Sequence, residues 1–413
     1  MAAGDEAEVE VKYEPVSVKE VLAEMKDTAE LLIDLSYSAV LLGSDEVASE
    51  VLELESRMDV LQLRARMSLL MAARNPADAE ALAPVLGVVG AAEKVSDAAG
   101  DIAKVVLEDI GLPDAMRAAL PEALETVVRA ELDPASAYAD RDLGDLNLET
   151  TTGVRVIAIR RQGDWLPNPD AETVLRAGDV VLLRGPAEAT AKVYETAAGE
   201  PYDRPEPAEP AIDDLERAVD SIVLMKNISE LAVDLAYGAI IFDSEDLAEE
   251  VLELEAEVDA LQSRFEAWTL RAAGRVDDPV ALRGLVHLAS ATEVISDAAL
   301  EISEGVIRGL GAHPVIAEAV RASDEVIVRL TVDAGSDLDG TTLGAREVKT
   351  DTGMRVIAVR RPGGEADGRE TADWEISPGP ETELGAGDVF IAKGTRSGAE
   401  RLRKLSHSSL ESR

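Results

Sequence analysis

At 413 residues with a formal net charge of −42, the chain sets 82 acidic against 40 basic residues and has no cysteine. Such a surface repels nucleic acid and anionic headgroups. The missing cysteine excludes disulfides, thiolate metal sites and a cysteine nucleophile, and three histidines, His287, His313 and His407, leave little room for histidine-based catalysis.

The length fits roughly two to four domains. The acid excess matches a molar-salt cytoplasm, where the Debye length shrinks to about 3 Å and self-repulsion is screened. An exposed carboxylate is therefore weak evidence of function. Residues 1–15 are acidic and lack an apolar core, so they read as a tail and not a signal peptide. No stretch reaches the roughly 18 apolar residues needed to span a bilayer. The expectation is a soluble, cytoplasmic protein without direct membrane insertion or a nucleic-acid partner.

Residues 16–124 have helical spacing. Leu22, Met25, Ala29, Leu32, Ser36 and Ala39 share one face of a first helix. Val47, Val51, Leu54, Met58, Leu61 and Ala65 share a face of a second, and Val88, Ala92, Val95, Ala99, Ile102 and Val106 of a third. Gly43-Ser44-Asp45 and Asn75-Pro76-Ala77-Asp78 are the breaks, with Ser44 or Asp45 as an N-cap. Three long helices with short loops predict an antiparallel bundle. Within 125–199 the period changes: TVVRAEL, VRVIAIRR and DVVLLR read as strands and AEATAKVYETA as a helix, a small α+β domain. The stretch GEPYDRPEPAEP, at 199–210, marks a stiff linker over residues 200–211. A second bundle (212–324), a second small domain (325–404) and a tail (405–413) follow.

The second half repeats the first. GVRVIAIRR at 153–161 returns as GMRVIAVRR at 353–361, and EVLELE at 50–55 returns at 250–255. EKVSDAAGDI at 93–102 returns as EVISDAALEI at 293–302, and AGDV at 177–180 returns at 386–389. This is a tandem duplication. The fold class is α+β: two antiparallel bundles of three long helices alternating with two small α+β domains.

The small domain resembles the TrkA-C domain, the C-terminal half of regulators of K⁺ conductance. The matching residues are Ser136, Leu143-Gly144, Gly153 to Arg160, Pro167 and Gly178-Asp179-Val180. In the second copy they are Ser336, Gly340, Leu343-Gly344, Gly353 to Arg360 and Gly387-Asp388-Val389. The bundle is similar to PhoU, whose E-R-I-G-D-x-A-x-N-I-A signature is approached by EKVSDAAGDIA. The resemblance implies small domains that pair, within the chain as a pseudo-dimer or in a homodimer, with the bundles flanking a central α+β core. It also implies a non-enzymatic regulatory subunit whose partner is a membrane cation transporter or channel for K⁺ or a divalent ion. A PhoU-type phosphate-signalling adaptor and a carboxylate-cluster metal-binding protein are the alternatives.

Two sets of residues are candidate sites. Glu55/Asp59 with Glu93/Asp97/Asp101, and Glu255/Asp259 with Glu293/Asp297/Glu301, stack carboxylates at helical spacing. Oxygen-rich clusters suit Mg²⁺, Mn²⁺ or iron, and PhoU-like proteins hold metal on such E-x-x-x-D motifs. A solvated acidic face has the same spacing, and Asp34 falls on such a face of the first helix. The doublets Arg160-Arg161 and Arg360-Arg361 are able to grip phosphate bidentately. TrkA-C pairs in some relatives bind a cyclic dinucleotide, so that ligand or an adenine nucleotide is the candidate. Neutralising neighbouring acids is the plainer role for the arginines. No G-x-G-x-x-G follows a strand, so NAD is not expected.

Overall fold

A computed structural model describes residues 17–113, 126–162, 164–167, 169, 171–185, 187–203, 212–308, 314–323, 325–361 and 374–408. Most of the proposed linker, the N-terminal tail, residues 409–413 of the C-terminal tail and His313 lie outside the described residues, while α12 runs on into the expected tail to Ser406.

Helices α1 (Val18–Leu42), α2 (Asp45–Ala72) and α3 (Pro76–Leu107) form the first bundle. Gly43 ends α1 in the left-handed region at φ 60°, and the Ser44 hydroxyl caps α2 by accepting from the Val47 amide at 3.2 Å. Asn75 caps α3, and Pro76 occupies a first-turn position whose missing N–H costs nothing. The first small domain contains β1 (Thr126–Glu131), short α4 (Leu143–Leu146) and α5 (Leu148–Thr152), β2 (Arg155–Arg161), β3 (Asp164–Pro167), β4 (Val180–Gly185) and α6 (Ala187–Ala198). Its antiparallel sheet has the order β1-β4-β2-β3.

The second copy repeats this plan. Helices α7 (Asp213–Phe242), α8 (Glu245–Ala273) and α9 (Arg283–Ile307) form its bundle, with Ser244 capping α8 as Ser44 caps α2. After α10 (Pro314–Ala322) come β5 (Glu325–Thr331), β6 (Thr341–Thr342), α11 (Val348–Thr352), β7 (Met354–Arg360), β8 (Trp374–Ile376), β9 (Glu383–Leu384), β10 (Val389–Thr395) and α12 (Arg396–Ser406). The main sheet is β5-β10-β7-β8, and β6 pairs with β9. Strand β4 ends on Gly185, and β10 carries Gly394 as its penultimate residue. A Cβ on Gly185 would lie 2.8 Å from the Gly153 carbonyl oxygen, and one on Gly394 would lie 2.5 Å from that of Gly353. The close approach of two backbones requires glycine there.

The copies are not separate bodies. The bundles pack on each other chiefly through α3 and α9, and α10 lies against both α1 and α7. One continuous core takes in all six long helices and one face of each sheet, including Ile157, Leu182 and Trp165 of the first and Ile357, Ile391 and Trp374 of the second. The outer face of each sheet has its own smaller core, under α6 with Val193 and under α12 with Leu402. The expected layout is thus inverted: the helices are central and the small domains flank them. The sheets do not pair edge to edge. Their apolar inner faces are used up against the bundle, and the two small domains meet through charged side chains.

Leu35 and Leu235 occupy equivalent, fully buried positions. Leu35→Ala and Leu235→Ala are each expected to cost about 2–5 kcal/mol in chemical denaturation. Because Trp165 and Trp374 sit in the shared core, tryptophan fluorescence and helical circular dichroism should fall together in one transition. Two separated transitions would contradict a shared core.

Candidate functional site

On α1, Lys26, Glu30 and Asp34 recur every four residues, facing away from the apolar stripe. On α7, Lys226, Glu230 and Asp234 repeat the pattern. These two faces are largely covered and only partly exposed. They lie beside the inner edges of both sheets, which contribute Arg155, Arg184, Glu325, Arg355 and Lys393. Lys26 is 1 % exposed and bonds Glu30 at 2.8 Å, and Lys226 bonds Glu230 at 2.6 Å. Each lysine also lies over a tyrosine of the other copy, Lys26 over Tyr237 and Lys226 over Tyr37.

Lys393 and Glu325 join the parts. The Lys393 ammonium reaches Asp234 of α7 at 2.5 Å, and both Glu30 of α1 and Glu325 of β5 at 3.2 Å. Glu325 also meets Arg155 and Arg184 of the first small domain, each at 3.4 Å, and Arg184 bonds Asp34 at 2.9 Å. One lattice of alternating charge therefore touches both first helices and both small domains. A void of about 30 Å³ between Asp34, Arg155, Arg184 and Glu325 is large enough for a water molecule. A wider cleft of about 730 Å³ opens beside it between α1 and α7, within the usual range for small-molecule sites. Seven bases and six acids line it, in a chain with twice as many acids as bases.

Burial and charge push the lattice carboxyls in opposite directions. Burial raises Asp34 from its ordinary 3.8 to about 6, with Arg184 opposing and Glu230 and Glu325 adding to the rise. Asp234 is raised by burial as well, against the pull of Lys393. Burial favours the neutral form of Glu325 too, but Lys393, Arg184 and Arg155 outweigh it and hold the carboxyl well below the usual range. Lys393, among three carboxylates, binds its proton more tightly than a free lysine despite its burial.

The arginine doublets are engaged by the chain's own acids. Arg160 reaches the buried Glu50 at 2.7 Å, and Glu50 also accepts from Arg129 at 3.0 Å, so the pair ties α2 to the first sheet. Arg161 bonds Asp179 of the AGDV turn at 2.6 and 2.8 Å. Asp179 also accepts from the Arg176 amide, so its carboxylate fixes the turn. Arg360 pairs with Asp246 at 3.0 Å and lies over the Trp374 ring, and Arg361 pairs with Glu375 at 3.0 Å. Each of the four arginines is ion-paired within the chain, with Arg361 still 60 % exposed.

The acidic clusters assemble along paired helices without converging. Glu55 and Asp59 of α2 face Asp97 and Asp101 of α3, where burial and the neighbouring acids raise Glu55 and Asp97. Lys104 occupies this group, 3.1 Å from Asp101 and 3.8 Å from Glu55, while Glu93 is paired with Arg66 at 3.1 Å. In the second copy Glu255, Glu293 and Asp297 are raised by burial and by each other or Asp259, and Glu301 is paired with Lys94 of the first copy. Among the described residues, no three carboxylate or imidazole groups are placed to hold a metal ion.

The TrkA-C domain model matches residues 127–198 and 327–407, and the PhoU domain model matches residues 22–106 and 222–306. The chain is a tandem of PhoU and TrkA-C domains. A search of the curated proteins finds no match. Among solved structures, PhoU from Pseudomonas aeruginosa is similar at 13 % identity and a TM-score of 0.41, covering 71 % of this chain and 96 % of that one. The GsuK RCK domain is similar at 17 % identity and a TM-score of 0.18 over 69 % of this chain, which covers 64 % of that one. The GsuK channel bound to NAD follows at 14 % identity and a TM-score of 0.18, over 68 % of this chain and 52 % of that one.

The lattice thus lies where PhoU helices meet TrkA-C sheets, and sequence reasoning placed no site there. A signal was present: only ten lysines occur in the chain, and Lys26 and Lys226 are an equivalent pair inside apolar helices. The pH behaviour of the lattice follows from its carboxyls. Asp34, raised in the fold, favours folding most below 3.8, and that contribution is lost as pH rises through about 6. Glu325, held low, stabilises above its ordinary 4.5 and loses that contribution as pH falls below it. Melting temperatures measured from pH 3 to 7 should show Asp34→Asn removing part of the decline toward neutral pH. Glu325→Gln should cost about 3–5 kcal/mol at pH 7 by stranding its cations and flatten the acid side. Matching profiles for the two variants would refute this assignment.

Proposed function

We propose that the chain is a non-enzymatic regulatory subunit that senses a small ligand or ion and acts on a membrane cation transporter or channel, for K⁺ or a divalent ion. The observation that carries this reading is the lattice that binds Glu325 and Lys393 of one TrkA-C domain to α1, to α7 and to Arg155 and Arg184 of the other. Buried ion pairs contribute little net stability against well-packed apolar groups, yet stranding one member is expensive. Such a lattice suits an element with two arrangements, because shifting a sheet exchanges partners on both helices at once. The PhoU bundles then move as rigid levers. A coupling of about 1–3 kcal/mol suffices for regulation, within reach of one exchanged partner. No helix among the described residues is long and apolar enough to cross a membrane, so the reading places transport in a partner protein.

The PhoU matches over 22–106 and 222–306 favour a second reading, a phosphate-signalling adaptor. Deleting the gene and restoring it as wild type or as Glu325→Gln separates the two. Under the first reading, uptake of ⁸⁶Rb⁺ changes severalfold on deletion and the variant fails to restore it, while ³²P-phosphate uptake stays level. Altered phosphate uptake with unchanged ⁸⁶Rb⁺ uptake selects the adaptor.

A further inference from the structure

The lining of the wide cleft divides by element. Helices α1 and α7 contribute an apolar side, in which Val40 and Ile222 are buried, Leu41 and Val223 are half-buried and Leu224 is 45 % exposed. The second small domain contributes Arg355 from β7 and Arg401 from α12, beside the Thr395 hydroxyl. Among the described residues, neither arginine has a carboxylate within ion-pair distance. Arg401 donates to the Thr352 carbonyl oxygen at 2.8 Å. The acids nearest in effect to Arg355 are Glu230 and Asp234, and each already has a shorter bond to a lysine, Glu230 to Lys226 and Asp234 to Lys393. The Arg355 guanidinium therefore retains donors for a further acceptor.

We propose that this cleft binds a small organic anion with an apolar body. Its phosphate, sulfonate or carboxylate head would bond Arg355 and Arg401, and its body would lie against Val223 and Leu224. Two features select this class over a bare ion. A volume of about 730 Å³ far exceeds what an inorganic anion fills, and an apolar helix face gains from covering only if the ligand carries apolar surface. A cationic ligand would meet five bases within the lattice and its rim, Arg155, Arg184, Lys226, Arg355 and Lys393, all but Arg355 holding carboxylates already. Repulsion by the −42 chain acts at long range and is screened by salt, whereas the guanidinium–anion contact is short and directional. The inference names the ligand class for the sensing reading above and rests on it.

The test uses the full chain and three probes: the aryl sulfonate 1-anilinonaphthalene-8-sulfonate, the neutral dye Nile red, and inorganic phosphate. The sulfonate is expected to bind saturably at one site, and phosphate to compete only weakly. Affinity for the sulfonate should fall at least about tenfold in the Arg355→Gln/Arg401→Gln double variant. Binding should be unchanged in Arg308→Gln, an exposed arginine paired with Glu304 on α9. Nile red should be indifferent to all three changes. Hydrogen exchange on the wild-type chain gives a readout that does not depend on the variants folding. Bound sulfonate should slow exchange in β7, α12 and the first half of α7. Unchanged affinity in the double variant, Nile red weakened in parallel, or protection confined to other elements would each overturn the proposal. The ⁸⁶Rb⁺ experiment reports separately, so loss of the ligand class leaves the regulatory reading standing or falling on its own.

Discussion

A lysine ammonium out of water must be surrounded by carboxylates, and at Lys393 this demand is met by three acids from three elements, Glu30, Asp234 and Glu325. That requirement governs the placement of the second sheet. Were β10 displaced one helical turn toward the C-terminus of α7, where Gly238 stands, the charge would lose Asp234 and stand partly unpaired, a large penalty in a low-dielectric interior. The first sheet is held by the same logic through Arg184, which needs Asp34 and Glu325. Apolar burial supplies most of the driving force, since the shared core runs through six helices and both inner sheet faces. Such burial is roughly proportional to area and tolerant of sliding. The charges choose one registration among the many that the apolar faces would accept.

Much of this was legible beforehand. Helical periodicity named the core faces correctly: every residue assigned to the α1 and α2 stripes is buried, and so is that of α3 except for half-buried Val106. The cap at Ser44 and the three main strands of the first small domain fell where local signals placed them. The inverted layout was not legible. Period-two patterning says that a sheet has apolar faces, but both faces of these strands are apolar, and the sequence does not say which face meets the bundle.

The charged positions divide in a similar way. Arg160 and Arg161 were recognised as unusual, and their partners Glu50 and Asp179 lie 110 and 18 residues away, so nothing in spacing revealed them. The acidic rows on α2, α3, α8 and α9 lie along paired helices, with Glu55 near Asp97 and Glu255 near Asp297. What escaped notice was the row on α1 and α7. Asp34 stands opposite the apolar stripe of its own helix, which in a single bundle means solvent. Here it means the neighbouring domain. Periodicity reports what turns away from one core and is silent on whether a second body covers it.

The two copies have also drifted apart where they face each other. Arg184 of β4 is answered by Lys393 of β10, Thr292 bonds the Tyr37 hydroxyl at 2.5 Å where the first copy has Ala92, and Asp27 corresponds to Asn227. In an assembly of two identical subunits every substitution at the dyad is felt twice, so a change that strands a charge strands two. Fusion into one polypeptide halves that burden and lets either side be altered alone. The halves of this junction are accordingly unequal, and either is free to change without its counterpart.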